Sequence, residues 1–221
     1  SRFADGFTVT SPHTLASDRF RARVSYGSAG TKEVSLFHPT DPDFQYEVSF
    51  EDYALNAGSN FRSETAEDIR YMVGGRWQAM DEAYGHPVNL AFRVFAGRDA
   101  AKPTLGTIYA EAMASKTFGQ NIEVTVNPRA AAFGSTVKLG AGLGVHYSFS
   151  NTLTAIGEYT YVRGDDAVWA LGLRKSFSNI PFTVDLFTTN AVGLSGVGSL
   201  LSNDKPQFGI SLHWETGFDW L

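Results

Sequence analysis

The 221-residue sequence contains no cysteine, so neither a disulfide nor a thiolate metal site can hold it together. Long apolar runs are missing too. Stretches free of polar side chains stop at seven residues, as in Ala167 to Leu173, against the roughly 18 a spanning helix needs. Positive charge is in short supply. Eighteen Lys and Arg stand against 23 Asp and Glu, a net charge of −5, which argues against a basic nucleic-acid binder. Charged residues make up only 19% and aromatics as much as 14%, the reverse of a disordered chain. The five histidines, His13, His38, His86, His146 and His213, show no ligand spacing. No calcium-loop repeat frames Asp41, Asp43, Asp165 or Asp166. The sequence therefore predicts neither metal nor cofactor.

What is abundant is glycine, at 22 residues, and alternation with a period of two, the mark of strands with one apolar face. From Val137 to Ser150 one phase reads Val, Leu, Ala, Leu, Val, Tyr, Phe, and the other Lys, Gly, Gly, Gly, His, Ser, Ser. Near the end of the chain Phe208, Ile210, Leu212 and Trp214 alternate with Gln207, Gly209, Ser211, His213 and Glu215. Further apolar phases begin at Phe20, Tyr46, Ile69, Leu90, Ile122, Leu153, Trp169 and Phe182, with weaker segments at Lys32 to His38 and Leu105 to Thr117. The pattern predicts about twelve strands (about 10–14) of roughly ten residues each, the length that crosses a bilayer in a barrel. No composition break or linker divides the chain, so one domain is expected.

Charge placement separates the two faces. Arg19, Arg21, Arg23, Arg70, Arg76, Arg93, Lys138 and Arg174 fall on the phase opposite the apolar one, with Glu47, Glu51, Glu123, Glu158, Asp185 and Glu215. A water-facing phase of a soluble sandwich would favour long polar side chains and avoid glycine. Here glycine and serine dominate, with arginines and glutamates interspersed, as in a crowded hydrated barrel interior. The apolar phase then faces lipid, where a charge near the midplane costs about 2–4 kcal/mol. Rings gather towards strand ends, as with Trp169 and Phe177 or Tyr71 and Trp77, the placement of interfacial girdles. The predicted fold is all-β: a single closed antiparallel transmembrane β-barrel.

As a pattern, the stretch from Asp18 to Thr216 resembles a Gram-negative outer-membrane β-barrel protein. The most specific piece, Phe208 to Trp214, is similar to the C-terminal β-signal read by the barrel-assembly machinery, although the seven residues from Glu215 to Leu221 follow it. The resemblance implies an outer-membrane location, the lipid bilayer as surroundings and the assembly machinery as a partner during biogenesis. Ser1 is not a start methionine and no signal-like segment follows it, so an exported form would have lost its signal peptide. The expected organisation is an N-terminal periplasmic arm over residues 1–17, the barrel over 18–216 and a C-terminal extension over 217–221. Counting strands back from the last puts short turns on the periplasmic side and longer or more acidic loops outside.

The expected lumen lining is Arg19, Arg21, Arg23, Glu47, Arg70, Arg76, Arg93, Glu123, Lys138, His146, Glu158, Arg174, Asp185 and Glu215. Counted with Glu51, this set holds eight bases and six acids, a net of +2, and leaves ten bases and seventeen acids elsewhere. A narrow, slightly positive interior beneath acidic loops suits a small porin-like channel for small anions, with no catalytic residue assigned. Two alternatives compete. Arginine–carboxylate pairs could plug the lumen of a structural or partner-anchoring barrel, with the stretch from Thr189 to Lys205 as a contact or lid. Less favoured is a lipid hydrolase built on His146 and Ser148, with Glu158 orienting the histidine. Against the hydrolase, both side chains share the lumen phase, whereas a lipid substrate lies outside.

Overall fold

A computed structural model describes residues 4–52, 70–99 and 106–217. Twelve strands follow in chain order: β1 (Arg19–Gly27), β2 (Lys32–Asp41), β3 (Phe44–Asp52), β4 (Arg70–Met80), β5 (Asn89–Asp99), β6 (Gly106–Phe118), β7 (Ile122–Phe133), β8 (Thr136–Ser150), β9 (Leu153–Val162), β10 (Val168–Ser176), β11 (Phe182–Ala191) and β12 (Ser202–Gly217). Each pairs antiparallel with its sequence neighbours. β1 closes on β12 from Arg19 opposite Gly217 to Gly27 opposite Gly209, which removes every sheet edge.

The outward face is the apolar one. Leu139, Leu143, Leu171 and Ile210 do not meet in a shared centre; they stand outside, with exposures from 42% (Leu139) to 58% (Leu171). Such an outer band has the form of the lipid-facing belt of a transmembrane barrel. Aromatic rings bound it at both ends. At the end where β1 begins and β12 finishes, Trp77 stacks on Phe92 with centroids 5.9 Å apart, and Tyr147 meets Phe149 edge-on at 4.8 Å. Exposed Tyr26, Tyr71, Tyr159, Tyr161 and Phe208 ring the far end.

Connections at the terminal end are short, except that between β4 and β5. There a 3-10 turn (Glu82–Tyr84) is capped by the Asp81 side chain, which accepts from the Ala83 amide, and closed by Gly85 at a φ of 86°. A side chain at that angle would be strained. The expected long loop from Asn56 to Asp68 lies outside the described residues, as do 1–3 and 218–221 of the two expected terminal segments.

The interior departs from expectation in two respects. Residues 4–17, expected as an arm outside the barrel, run inside it. The stretch from 192 to 201, expected as an outer contact or lid, also folds inward, carrying a second 3-10 turn (Gly196–Leu200) whose residues are all buried. Both segments find apolar seats on the inward phase. Val192, Val197, Leu200 and Leu201 pack with Met72, Phe95, Tyr109, Phe133, Val162 and Val168 in the far half. Phe7 packs with Ile156, Ala170, Phe187 and Leu194 deeper in. Burying these side chains removes apolar surface from water at about 25 cal/mol per Å², which a wholly polar lumen would not offer.

Candidate functional site

The site is the lumen, and alternation alone builds its wall. With successive side chains pointing to opposite faces, one phase of each strand looks inward. Arg23, Glu47, Arg70, Arg76, Arg93, Glu123, His146, Glu158, Arg174 and Asp185 are all buried there. Arg21, Lys138 and Glu215 are half-buried, and Arg19 at the strand's start is exposed.

Strand register then pairs the charges. Arg174 faces Asp185 across β10 and β11, and its Nε and Nη2 donate to that carboxylate at 2.8 and 2.7 Å. His213 sits 2.8 Å from the same group. Arg21 faces Glu215 across the closing seam, at 2.7 Å. Glu47 lies between two arginines, 2.8 Å from Arg76 Nε and 2.6 Å from Arg93 Nε, and Arg93 also reaches Glu111 at 2.9 Å. Lys138 pairs with Asp165 at the far rim, and Arg23 with Glu33. Of these, the two-point Arg174–Asp185 pair is of the planar kind that is strong and directional.

Four of these charges escape the sequence pattern. Glu33 and Glu111 sit on the two weakest strands, and Asp5 lies in a segment without periodicity. Arg129 follows Pro128 and precedes three alanines, so β7 loses its alternation there. Leaving out the exposed Arg19, and adding Arg129 to the bases and Asp5, Glu33 and Glu111 to the acids, gives eight bases and nine acids among the described inward side chains. They carry no excess of positive charge. Glu33 and Glu111 come from strands whose polar phase is hidden by small or mixed residues, and Asp5 from the arm.

The arm enters and leaves by the terminal mouth. Asp5 Oδ1 accepts from the Ser11 amide at 3.0 Å, and Gly6 N donates to Val9 O at 3.0 Å. These bonds fold residues 5–11 into a loop whose tip reaches deepest. The wall receives it with polar groups throughout. Glu158 accepts from the Phe7 amide, the Thr8 amide and the Thr8 hydroxyl, each at 2.7 Å. Arg76 donates to both Asp5 carboxylate oxygens, at 2.8 and 2.9 Å, and to the Ser11 and His13 carbonyls. Arg93 donates to Thr10 Oγ1 at 3.0 Å. His13 lies 2.6 Å from Glu123, and the Leu15 amide donates to Gln45 at 2.9 Å.

The inner loop is held in the same way from the other side. Glu51 accepts from the Leu194 amide. Ser195 Oγ lies 2.9 Å from both Glu33 and Arg23. Arg129 ties the two segments together, donating to Thr8 O at 2.7 Å and to Ser199 Oγ at 2.9 Å.

Gly140, Gly142 and Gly144 of β8 explain why the inward phase is rich in glycine. A Cβ on Gly140 would lie 2.6 Å from Leu200 of the inner loop. One on Gly142 would lie 2.2 Å from Asn127 Oδ1 and 2.6 Å from Arg129, and one on Gly144 would lie 3.1 Å from Val9 of the arm. The stripe is a groove in the wall that both segments occupy.

Two cavities open towards the terminal mouth. A cavity of about 610 Å³ is lined by His13, Gln78, Asp81, Glu82, Asn89 and Glu123. A second, of about 470 Å³, is lined by Arg19, Arg21, Arg174, His213 and Glu215. At the first, partial burial would raise the Glu82 carboxyl. Bonds from Lys116, at 2.5 Å, and from the Thr117 amide, at 3.0 Å, instead hold it below the usual carboxylate range.

Two members of the triad-like set, Glu158 and Ser148, have other partners. Register places Glu158 opposite Gly144, and His146 opposite Ile156. Both Glu158 oxygens are committed to the arm, and Ser148 Oγ bonds Thr154 Oγ1 at 3.0 Å.

No protein-family model matches this sequence, and no curated protein is similar to it in sequence. Solved structures are similar in fold. The porin KdgM, solved in complex with disordered oligogalacturonate, superposes with a TM-score of 0.65 at 8% identity, over 89% of this chain and 98% of that one. The porin NanC gives 0.57 at 10% identity, over 88% and 98%. The chain has the fold of an outer-membrane β-barrel.

Proposed function

We propose that this protein is an outer-membrane channel for small solutes, described here in its closed state. The observation that carries this reading is that one of the two obstructions, the arm, is separable from the wall. The arm enters and leaves through one mouth, belongs to no strand, and covers charged side chains of β4, β5, β7 and β9. The shared fold with KdgM and NanC supports the same reading, because both are porins of nearly the same extent. With the arm withdrawn and the inner loop displaced from its apolar seat, Arg21, Arg23, Arg76, Arg93 and Arg174 would border the path and attract anions.

Planar-bilayer recording tests the proposal. Wild-type protein is expected to stay mostly closed with brief openings. A Gly6→Val variant should open far more often, because a Cβ at Gly6 would fall 1.7 Å from Glu158 Oε1 and 2.8 Å from Val9 O. Replacing Arg21 and Arg23 by Gln should lower the anion preference of the open state. Absence of ion steps from both wild type and Gly6→Val at every voltage would end the channel reading. That result would favour a second reading, a structural barrel with a permanently filled lumen, to which the apolar cluster around Leu200 lends support.

A further inference from the structure

The arm presents to the wall the groups of a small ligand. Its one carboxylate, on Asp5, is gripped at both oxygens by the Arg76 fork at 2.8 and 2.9 Å. A hydroxyl, Thr10 Oγ1, rests on Arg93 at 3.0 Å, and a carbonyl, Thr8 O, on Arg129 at 2.7 Å. A second hydroxyl, on Thr8, donates to Glu158 at 2.7 Å. A bidentate arginine fork is the standard receptor for a carboxylate. Beside it, the wall offers the Arg93 and Arg129 donors and the Glu158 acceptor.

Charge agrees with geometry. Without Asp5, Arg76 loses the carboxylate that both ends of its fork hold, and Glu47 is the one acid still paired with it among the described residues. Space agrees as well. The gap left between Asp5, Thr8, Thr10, Arg23 and Arg93 is only about 10 Å³, room for one water at most. A solute cannot bind there beside the arm; it must replace it.

We infer that Arg76, Arg93, Arg129 and Glu158 form a binding site for a small hydroxylated monocarboxylate, and that Asp5 and its neighbours occupy this site as a built-in competitor. Binding of the solute and docking of the arm exclude each other. The inference rests on the channel reading only for its consequence, that the solute which displaces the arm is also the one that passes. Binding itself requires no conductance.

The test uses the full-length protein folded in detergent micelles and titrated with sodium gluconate, with sodium chloride and neutral sorbitol as controls. Calorimetry reads binding, and hydrogen exchange at the Phe7 and Thr8 amides reads arm release. Gluconate should speed exchange of both amides saturably in wild type, while chloride at the same ionic strength and sorbitol should not. Asp5→Asn should bind gluconate at least about tenfold more tightly, because an occupied site lowers apparent affinity by the fraction left free. Adding Arg76→Gln to Asp5→Asn should abolish binding. Should Asp5→Asn fail to fold, as judged by gel migration before and after boiling, Gly6→Val frees the same site without altering Arg76 and should show the same gain. Equal affinity in wild type and the arm-released variants, or an effect of chloride equal to that of gluconate, would overturn the proposal. Gluconate binding without ion steps would leave the site standing and remove only the channel.

Discussion

Phe7 of the arm stacks on Phe187 of β11, with ring centroids 4.8 Å apart and planes 21° from parallel. It is the arm's main apolar anchor, buried with Ile156, Ala170 and Leu194. Phe7→Ala should weaken docking by about 3 kcal/mol, the usual order for emptying a buried phenylalanine site. Exchange of the Thr8 amide should quicken by roughly two orders of magnitude, while strand amides of β8 and β9 keep their rates. Unchanged exchange at Thr8 would mean that the polar clasp alone fixes the arm.

The glycine stripe of β8 should separate the two plugging segments. Gly144→Leu intrudes on Val9 and should release the arm. Gly140→Leu intrudes on Leu200 and should first disturb the inner loop. Protease nicking of folded protein reads this: cleavage within residues 4–16 for the first variant, and within 192–201 for the second. Because Arg129 bonds both segments, Arg129→Gln should expose both at once. Independent behaviour in that variant would show that the bridge does not couple them.

The lipid-facing assignment predicts a depth-dependent cost. Leu171, exposed on the outer belt, should destabilise the barrel by about 2–4 kcal/mol when changed to Arg if it lies near the midplane. Reversible unfolding in urea with lipid vesicles measures this. A cost near zero would place that face in water.

The connection between β4 and β5 carries a pH dependence. Glu82 is held below the usual carboxylate range by Lys116 and Thr117, so its folded form favours the ionised state. Its contribution is complete above the ordinary glutamate range and is lost as pH falls through the lowered value. Exchange at the Thr117 amide, corrected for intrinsic rates, should therefore rise only as pH falls below the ordinary glutamate range, and Glu82→Gln should remove that rise.

Period-two alternation by itself determined the strands, their approximate number, the outward apolar face and most of the inward arginines. In a closed barrel every strand obeys the same local rule, so each can be read alone. Arg129 was hidden because Pro128 and the alanine run from Ala130 to Ala132 interrupt that rule. The inward Met72, Phe95 and Phe133 were passed over because they sit singly among polar residues. Only the tertiary structure decided what fills the lumen. Glycines at 140, 142 and 144 reveal that something approaches the wall, but not that Leu200 and Val9 do. Asp5 and Arg76 are 71 residues apart, and no local pattern links them. Their meeting depends on the closed barrel, which brings distant strands around one space and leaves buried charges that must find partners there.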